Sequence, residues 1–117
     1  MPRYMLLLAD DPSAYKDVTP AQMEAVIAKY VAWTGKMRQE GRVLSGEKLK
    51  DEGGKRIRSR NGKATVVDGP YAESKEVVGG FYIIKAANFD EAVKIASTCP
   101  HVEFGAHLDV REIDEMS

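Results

Sequence analysis

Disulfides are excluded at once: the 117 residues contain one cysteine, Cys99, so none can form within the chain, and a reducing compartment is the natural setting. Histidine is nearly as scarce. His101 and His107 are the only two, and with no HxH, HxxxH or cysteine pair they do not make a metal-ligand set. Net charge is close to absent, -1 at pH 7 with acidic and basic residues interleaved, so no broad attraction to nucleic acid or to an anionic membrane is expected. Long apolar runs are missing too. Met5–Ala9 is too short for the apolar region of a secretory leader and is followed by Asp10 and Asp11, and no segment approaches a membrane span. The expected location is the cytoplasm. Phosphate-loop and nucleophile motifs are also absent. Gly53-Gly54 and Gly79-Gly80 lack the lysine and the strand–turn–helix setting, and Leu44-Ser45-Gly46 has glycine on one side only. No metal or other cofactor is expected.

What is present is the composition of an ordinary globular protein, 44% hydrophobic and 30% charged, long enough for one domain spanning residues 1–117. Tyr4–Ala9 is a short apolar run ended by Asp10-Asp11-Pro12, which suits a buried strand. Thr19, Pro20 and Gln22 form a helix start with a capping box, and Met23, Val26, Ile27, Tyr30, Val31, Thr34 and Met37 follow at helical spacing until Gly41. Trp33 lies near the edge of that stripe, where packing is the default role. Arg42–Leu49 reads as a strand. Arg56–Arg60 and Lys63–Val67 flank Asn61-Gly62, the pair that favours a two-residue hairpin turn. Arg56, Arg58 and Arg60 share one strand face, either as a solvated edge or as an anion contact. A strand at Phe81–Lys85 follows Gly79-Gly80. A second helix is capped by Asn88 and Glu91 and ended by Pro100, and a last strand runs from Ala106 to Ile113.

The order β-α-β-(hairpin)-β-α-β predicts a ferredoxin-like α+β sandwich with both helices on one face of the sheet. The other face then needs cover. A second copy stacked sheet against sheet would supply it and enclose a cleft between protomers.

Three groups of residues could carry chemistry. Asp68 ends a strand before Gly69-Pro70, so its carboxylate either closes a turn or projects as a base or acceptor. Glu73, Lys75 and Glu76 follow on a polar loop, either solvated or ligand-binding. In the last strand, His107, Asp109 and Arg111 alternate with Leu108 and Val110 and should line the uncovered face, either as an ion-paired ladder or as an acid/base and anion-binding set. His101 lies beyond the helix end marked by Pro100, as a cap or as an acid/base group. Cys99 is expected to be a small buried thiol.

The stretch Asp68-Gly69-Pro70-Tyr71-Ala72-Glu73-Ser74-Lys75-Glu76, with Gly79-Gly80-Phe81-Tyr82, resembles the signature of the DGPF proteins, a branch of the YCII-related family. Tyr4–Leu8, Ser45–Leu49, Cys99-Pro100-His101 and Asp109-Val110-Arg111 resemble further family segments. Tyr71 stands where the family has phenylalanine, and Glu112 where it has proline. The resemblance implies a dimeric α/β-barrel fold. The wider family's histidine–aspartate pair has no histidine counterpart in the long helix here, which leaves Asp68 and His101 as the matching catalytic positions. The combined expectation is a homodimer whose inter-sheet cleft binds and transforms a small, anionic organic molecule by acid/base chemistry. Asp68 is its base or orienting acceptor, His101 or His107 its proton carrier, Arg111 with Lys75 its anion clamp, and Glu73, Tyr82 and Asp109 are further contacts. The alternative is a non-catalytic ligand-sensing or regulatory module. Fusion of some DGPF domains to sigma-factor-like domains links that alternative to transcription initiation.

Overall fold

The computed structural model describes residues 1–11, 17–50, 54–68 and 77–115. Its elements are β1 (Arg3–Asp10), α1 (Pro20–Gln39), β2 (Val43–Lys48), β3 (Lys55–Arg60), β4 (Lys63–Asp68), β5 (Val77–Lys85), α2 (Phe89–Ser97), α3 (Pro100–Glu103) and β6 (Leu108–Glu112). The main sheet has the order β2-β5-β1-β6, antiparallel throughout, while β3 and β4 pair only with each other. With α1 and α2 both over one face, this is the ferredoxin-like α+β arrangement that the order of elements predicts.

Local chemistry sets the element ends. The Thr19 hydroxyl accepts from the Gln22 amide at 3.1 Å, and the Gln22 side chain accepts from the Thr19 amide at 2.9 Å, so two orphan donors of α1 are satisfied reciprocally. Asn88 caps α2 through the Glu91 amide at 2.9 Å. Asn61 and Gly62 both take positive φ, 52° and 79°, which is what a primed hairpin turn needs.

Strand alternation divides the sheet into two faces. Tyr4, Leu6 and Leu8 of β1 and Ile84 of β5 point under the helices and pack with Trp33, Met37, Ile95 and Cys99. On the opposite face, Met5 and Leu7 lie beside Ile83 and Phe81. Asp109 and Arg111 flank them on β6, and Ser45 and Glu47 on β2. No element of the described chain covers this second face.

Three expectations need correction. Pro100 does not end the second helix. α2 stops at Ser97, and Pro100 opens α3, where the missing N–H costs nothing. His101 therefore sits inside a short helix, 3% exposed, rather than capping a helix C-terminus. The apolar stripe of α1 also does not seat along its whole length. Trp33 and Met37 are buried, but Ile27 is 50% and Val31 65% exposed.

Cys99 is buried against the sheet, and burial pushes its thiol above the ordinary value of 9.0, with a backbone hydrogen bond at His101 partly opposing. Tyr82 is shifted upward from 10.0 for the same leading reason. Groups whose folded-state pKa is raised hold more protons in the folded than in the unfolded chain once pH passes the unfolded value. Stability is therefore intact below about pH 9 and is lost as pH rises from there. Thermal melts from pH 8 upward should show Tm falling more steeply in the wild type than in Cys99→Ala; equal slopes would remove Cys99 from the effect.

Candidate functional site

The unseated half of α1 leaves a cavity of about 530 Å³ between the helix and the sheet. Its floor is β2, β5 and the end of β1, and glycines shape it. A Cβ on Gly46 would lie 2.5 Å from the Tyr82 ring, and one on Gly80 would lie 2.9 Å from the Glu47 carbonyl oxygen. A Cβ on Gly79 would meet the Asp10 carboxylate. These positions let Tyr82 lie flat over β2 and keep the floor low. Gly35, in the roof, has nothing within 4 Å of where its Cβ would be. A glycine inside a helix costs roughly 1 kcal/mol relative to alanine, and no neighbour requires this one. Its bare backbone adds room beside the cavity.

His101 forms part of the wall nearest β1. Its Nε2 lies 2.6 Å from the Ala9 carbonyl oxygen and its Nδ1 lies 2.8 Å from the Tyr30 hydroxyl. A carbonyl only accepts, so Nε2 carries a proton and donates it. In the neutral ring, Nδ1 is then the acceptor for the Tyr30 hydroxyl. Phe104 stacks beyond Tyr30 with ring centroids 6.0 Å apart, which fixes the tyrosine from behind. Asp10 sits at the same end of the cavity.

Toward β2, the Tyr82 and Thr34 hydroxyls are 2.8 Å apart, and the Trp33 ring meets the Tyr82 ring edge-on at 5.1 Å. Burial raises the Tyr82 phenol, while the Thr34 hydrogen bond and the positive charge of Arg38 pull the other way. Arg38 lines this side of the cavity, and Lys48, which also borders the cavity, donates to the Leu49 carbonyl at 2.8 Å.

Of the sequence-predicted site residues, the cavity brings together His101 and Tyr82. Asp68 is elsewhere. It ends β4 with its side chain 86% exposed and ion-paired to Lys55 across the hairpin. Asp109 and Arg111 lie on the open face of the sheet, and His107 precedes β6, where its carbonyl accepts from the Ala9 amide at 3.1 Å. Glu73 and Lys75, with the rest of Gly69–Glu76, lie outside the described residues. Sequence reasoning passed over Tyr30, Gly35 and Arg38. The one available signal was a glycine in mid-helix, three residues before an arginine, beside an otherwise apolar stripe.

An exposed ion pair such as Lys55–Asp68 contributes at most about 1 kcal/mol. Asp68→Asn should therefore melt close to the wild type and bind cavity ligands with unchanged affinity in a calorimetric titration. A loss of ligand affinity would bring Asp68 back to the site.

The YCII-related domain family matches residues 2–117. An uncharacterised protein of Rhizobium meliloti (strain 1021) is 48% identical over 40 residues, which covers 34% of this chain and 32% of that protein. The match thus spans about a third of the length of that curated relative. Among solved structures, the 5-chloro-2-hydroxyhydroquinone dehydrochlorinase of Burkholderia phenoliruptrix AC1100, in complex with 2,5-dihydroxybenzoquinone, has a similar fold. The TM-score is 0.51 over 97% of this chain and 95% of that one, at 14% identity. At that identity the likeness is one of fold alone. No helix among the described residues is long and apolar enough to cross a membrane.

Proposed function

The chain belongs to the YCII-related family, and on that premise we propose that it is a cytoplasmic homodimer that binds a small organic molecule in the cavity beneath α1 and transforms it by proton transfer. The observation that carries this reading is a cavity of about 530 Å³ with a buried, doubly hydrogen-bonded histidine in its wall. That volume falls within the range of about 300–1,000 Å³ typical of small-molecule sites. His101 is the proton carrier: Nδ1 accepts when the Tyr30 hydroxyl turns toward the ligand. The dehydrochlorinase of similar fold was captured with a small quinone, which agrees in ligand size. The homodimer rests on the open sheet face, and a reducing cytoplasm suits the single buried thiol.

A second reading, a ligand-sensing module without catalysis, is favoured by one observation: both ring nitrogens of His101 already have partners within the chain. Binding is common to both readings, and turnover separates them.

The test is a metabolite screen by thermal shift on the wild type and on Gly35→Leu, which adds a side chain at a roof position where a Cβ meets nothing within 4 Å. A ligand at 100 times its Kd adds about 2.7 kcal/mol of stability. Hits should raise Tm in the wild type and not in Gly35→Leu, while the unliganded variant melts no lower than the wild type. Equal stabilisation of both proteins would exclude the cavity as the site. Incubating each hit with the protein and following it by NMR then reports turnover.

A further inference from the structure

The two ends of the cavity differ in charge, and we infer from this that its ligand is a carboxylate on an apolar body, held head-first against Arg38, Thr34 and Tyr82. The inference rests on the cavity being the binding site. Arg38 lines the cavity, close enough to the Tyr82 hydroxyl for its charge to act there, and it has no ion-pair partner among the described residues. The Thr34 and Tyr82 hydroxyls share one hydrogen bond. Two hydroxyls carry two protons and their mutual bond uses one, so one O–H is left to donate. A guanidinium fork beside a spare O–H is a donor-only pole, and a carboxylate, which accepts at both oxygens, matches it.

The neighbouring charges keep the same order. Lys48 pairs with Gly80, next to the Gly79 over which the Asp10 carboxylate lies, and so belongs to neither pole. Glu47, next to it, pairs with Phe81, and strand alternation turns its side chain to the opposite face of the sheet. Glu47 borders the cavity with its carbonyl beside Gly80, while the Asp10 carboxylate lies over Gly79, at the end that holds His101. An anionic head is thus drawn to the Arg38 pole, away from the Asp10 carboxylate. Between the poles, Leu8, Met23, Ile27 and Val31 offer apolar surface for the body of the ligand. This orientation puts the end of the ligand remote from its carboxylate beside Tyr30 and His101.

The probes are 2-naphthoate, 4-phenylbutanoate and octanoate, each paired with its primary amide. Isothermal calorimetry measures affinity, and emission from the chain's single tryptophan, Trp33, reports locally on Tyr82. For the wild type, at least one acid should bind and perturb Trp33 emission, with its amide at least 10-fold weaker. In Arg38→Gln, an exposed helix position, the acid should weaken by at least 10-fold and the preference over the amide should vanish. Gly35→Leu should lose both compounds. Amides that bind as tightly as acids, acids that all fail to bind, or a preference that survives in Arg38→Gln would each overturn the carboxylate assignment. An amide that binds the wild type as tightly as its acid, and does not bind Gly35→Leu, would overturn it while leaving the cavity as the binding site.

Discussion

His101→Phe is expected to lower folding stability by about 1–3 kcal/mol, because it keeps an aromatic ring but removes both hydrogen bonds. The Ala9 carbonyl loses the donor that His101, itself 3% exposed, supplies, and an orphaned buried polar group costs roughly 1–3 kcal/mol. The Tyr30 hydroxyl, which faces the cavity, loses its contact to Nδ1 at smaller cost. Against a total stability of about 5–15 kcal/mol for a domain, that is a large fraction. Urea denaturation measures it. Tyr30→Phe removes one of the two partners, so the double variant should cost less than the sum of the single ones, the signature of a direct interaction. Additive effects would mean that Tyr30 and His101 do not act as a pair. If His101 is also the proton carrier, the variant abolishes turnover of any cavity substrate; unchanged turnover would leave His101 a structural role only.

His101 also marks how far the sequence could be read. Elements ended by local chemistry were legible: the Thr19–Gln22 box, the Asn88 cap, the Asn61-Gly62 turn and the two-faced alternation of β1. Together they were enough for the fold. The cavity was not legible, because the stripe from Met23 to Met37 has the same periodicity whether the helix is fully seated or seated only at Trp33 and Met37. What lifts its first half is tertiary. Tyr82 lies over Gly46, and the floor is stripped of side chains at Gly79 and Gly80, a pair that reads in sequence as a strand opening. Pro100 was misread because proline suits the residue after one helix and the first residue of another equally well, and only packing against β1 chooses. Asp68 itself spans the open end of the hairpin with Lys55 and contributes no atom to the cavity. Of the segments that resemble the family signature, the cavity takes Gly79, Gly80, Phe81 and Tyr82.

The proposed homodimer should dissociate in Ile83→Asp, with at least a 100-fold weaker association constant. Ile83 lies on β5, flanked by β1 and β2, and belongs to the half-buried apolar group of Met5, Leu7, Phe81 and Ile83 on the face that no helix covers. That group is bordered by polar residues, Asp109 and Arg111 on β6 and Ser45 and Glu47 on β2, the rim that an apolar interface core needs. A carboxylate at Ile83 would be buried in that core, where an unpaired charge costs several kcal/mol. A stable dimer needs about 800 Å² from each partner, and a four-stranded sheet face is an area of that order. Sedimentation velocity at several concentrations measures the change. Val31→Asp, a charge of the same kind on the cavity side, should leave association intact. If Ile83→Asp sediments as the wild type does, the open face is not the interface. Because the cavity is walled by elements of one chain, the monomer should still bind its ligand, which separates the assembly from the site.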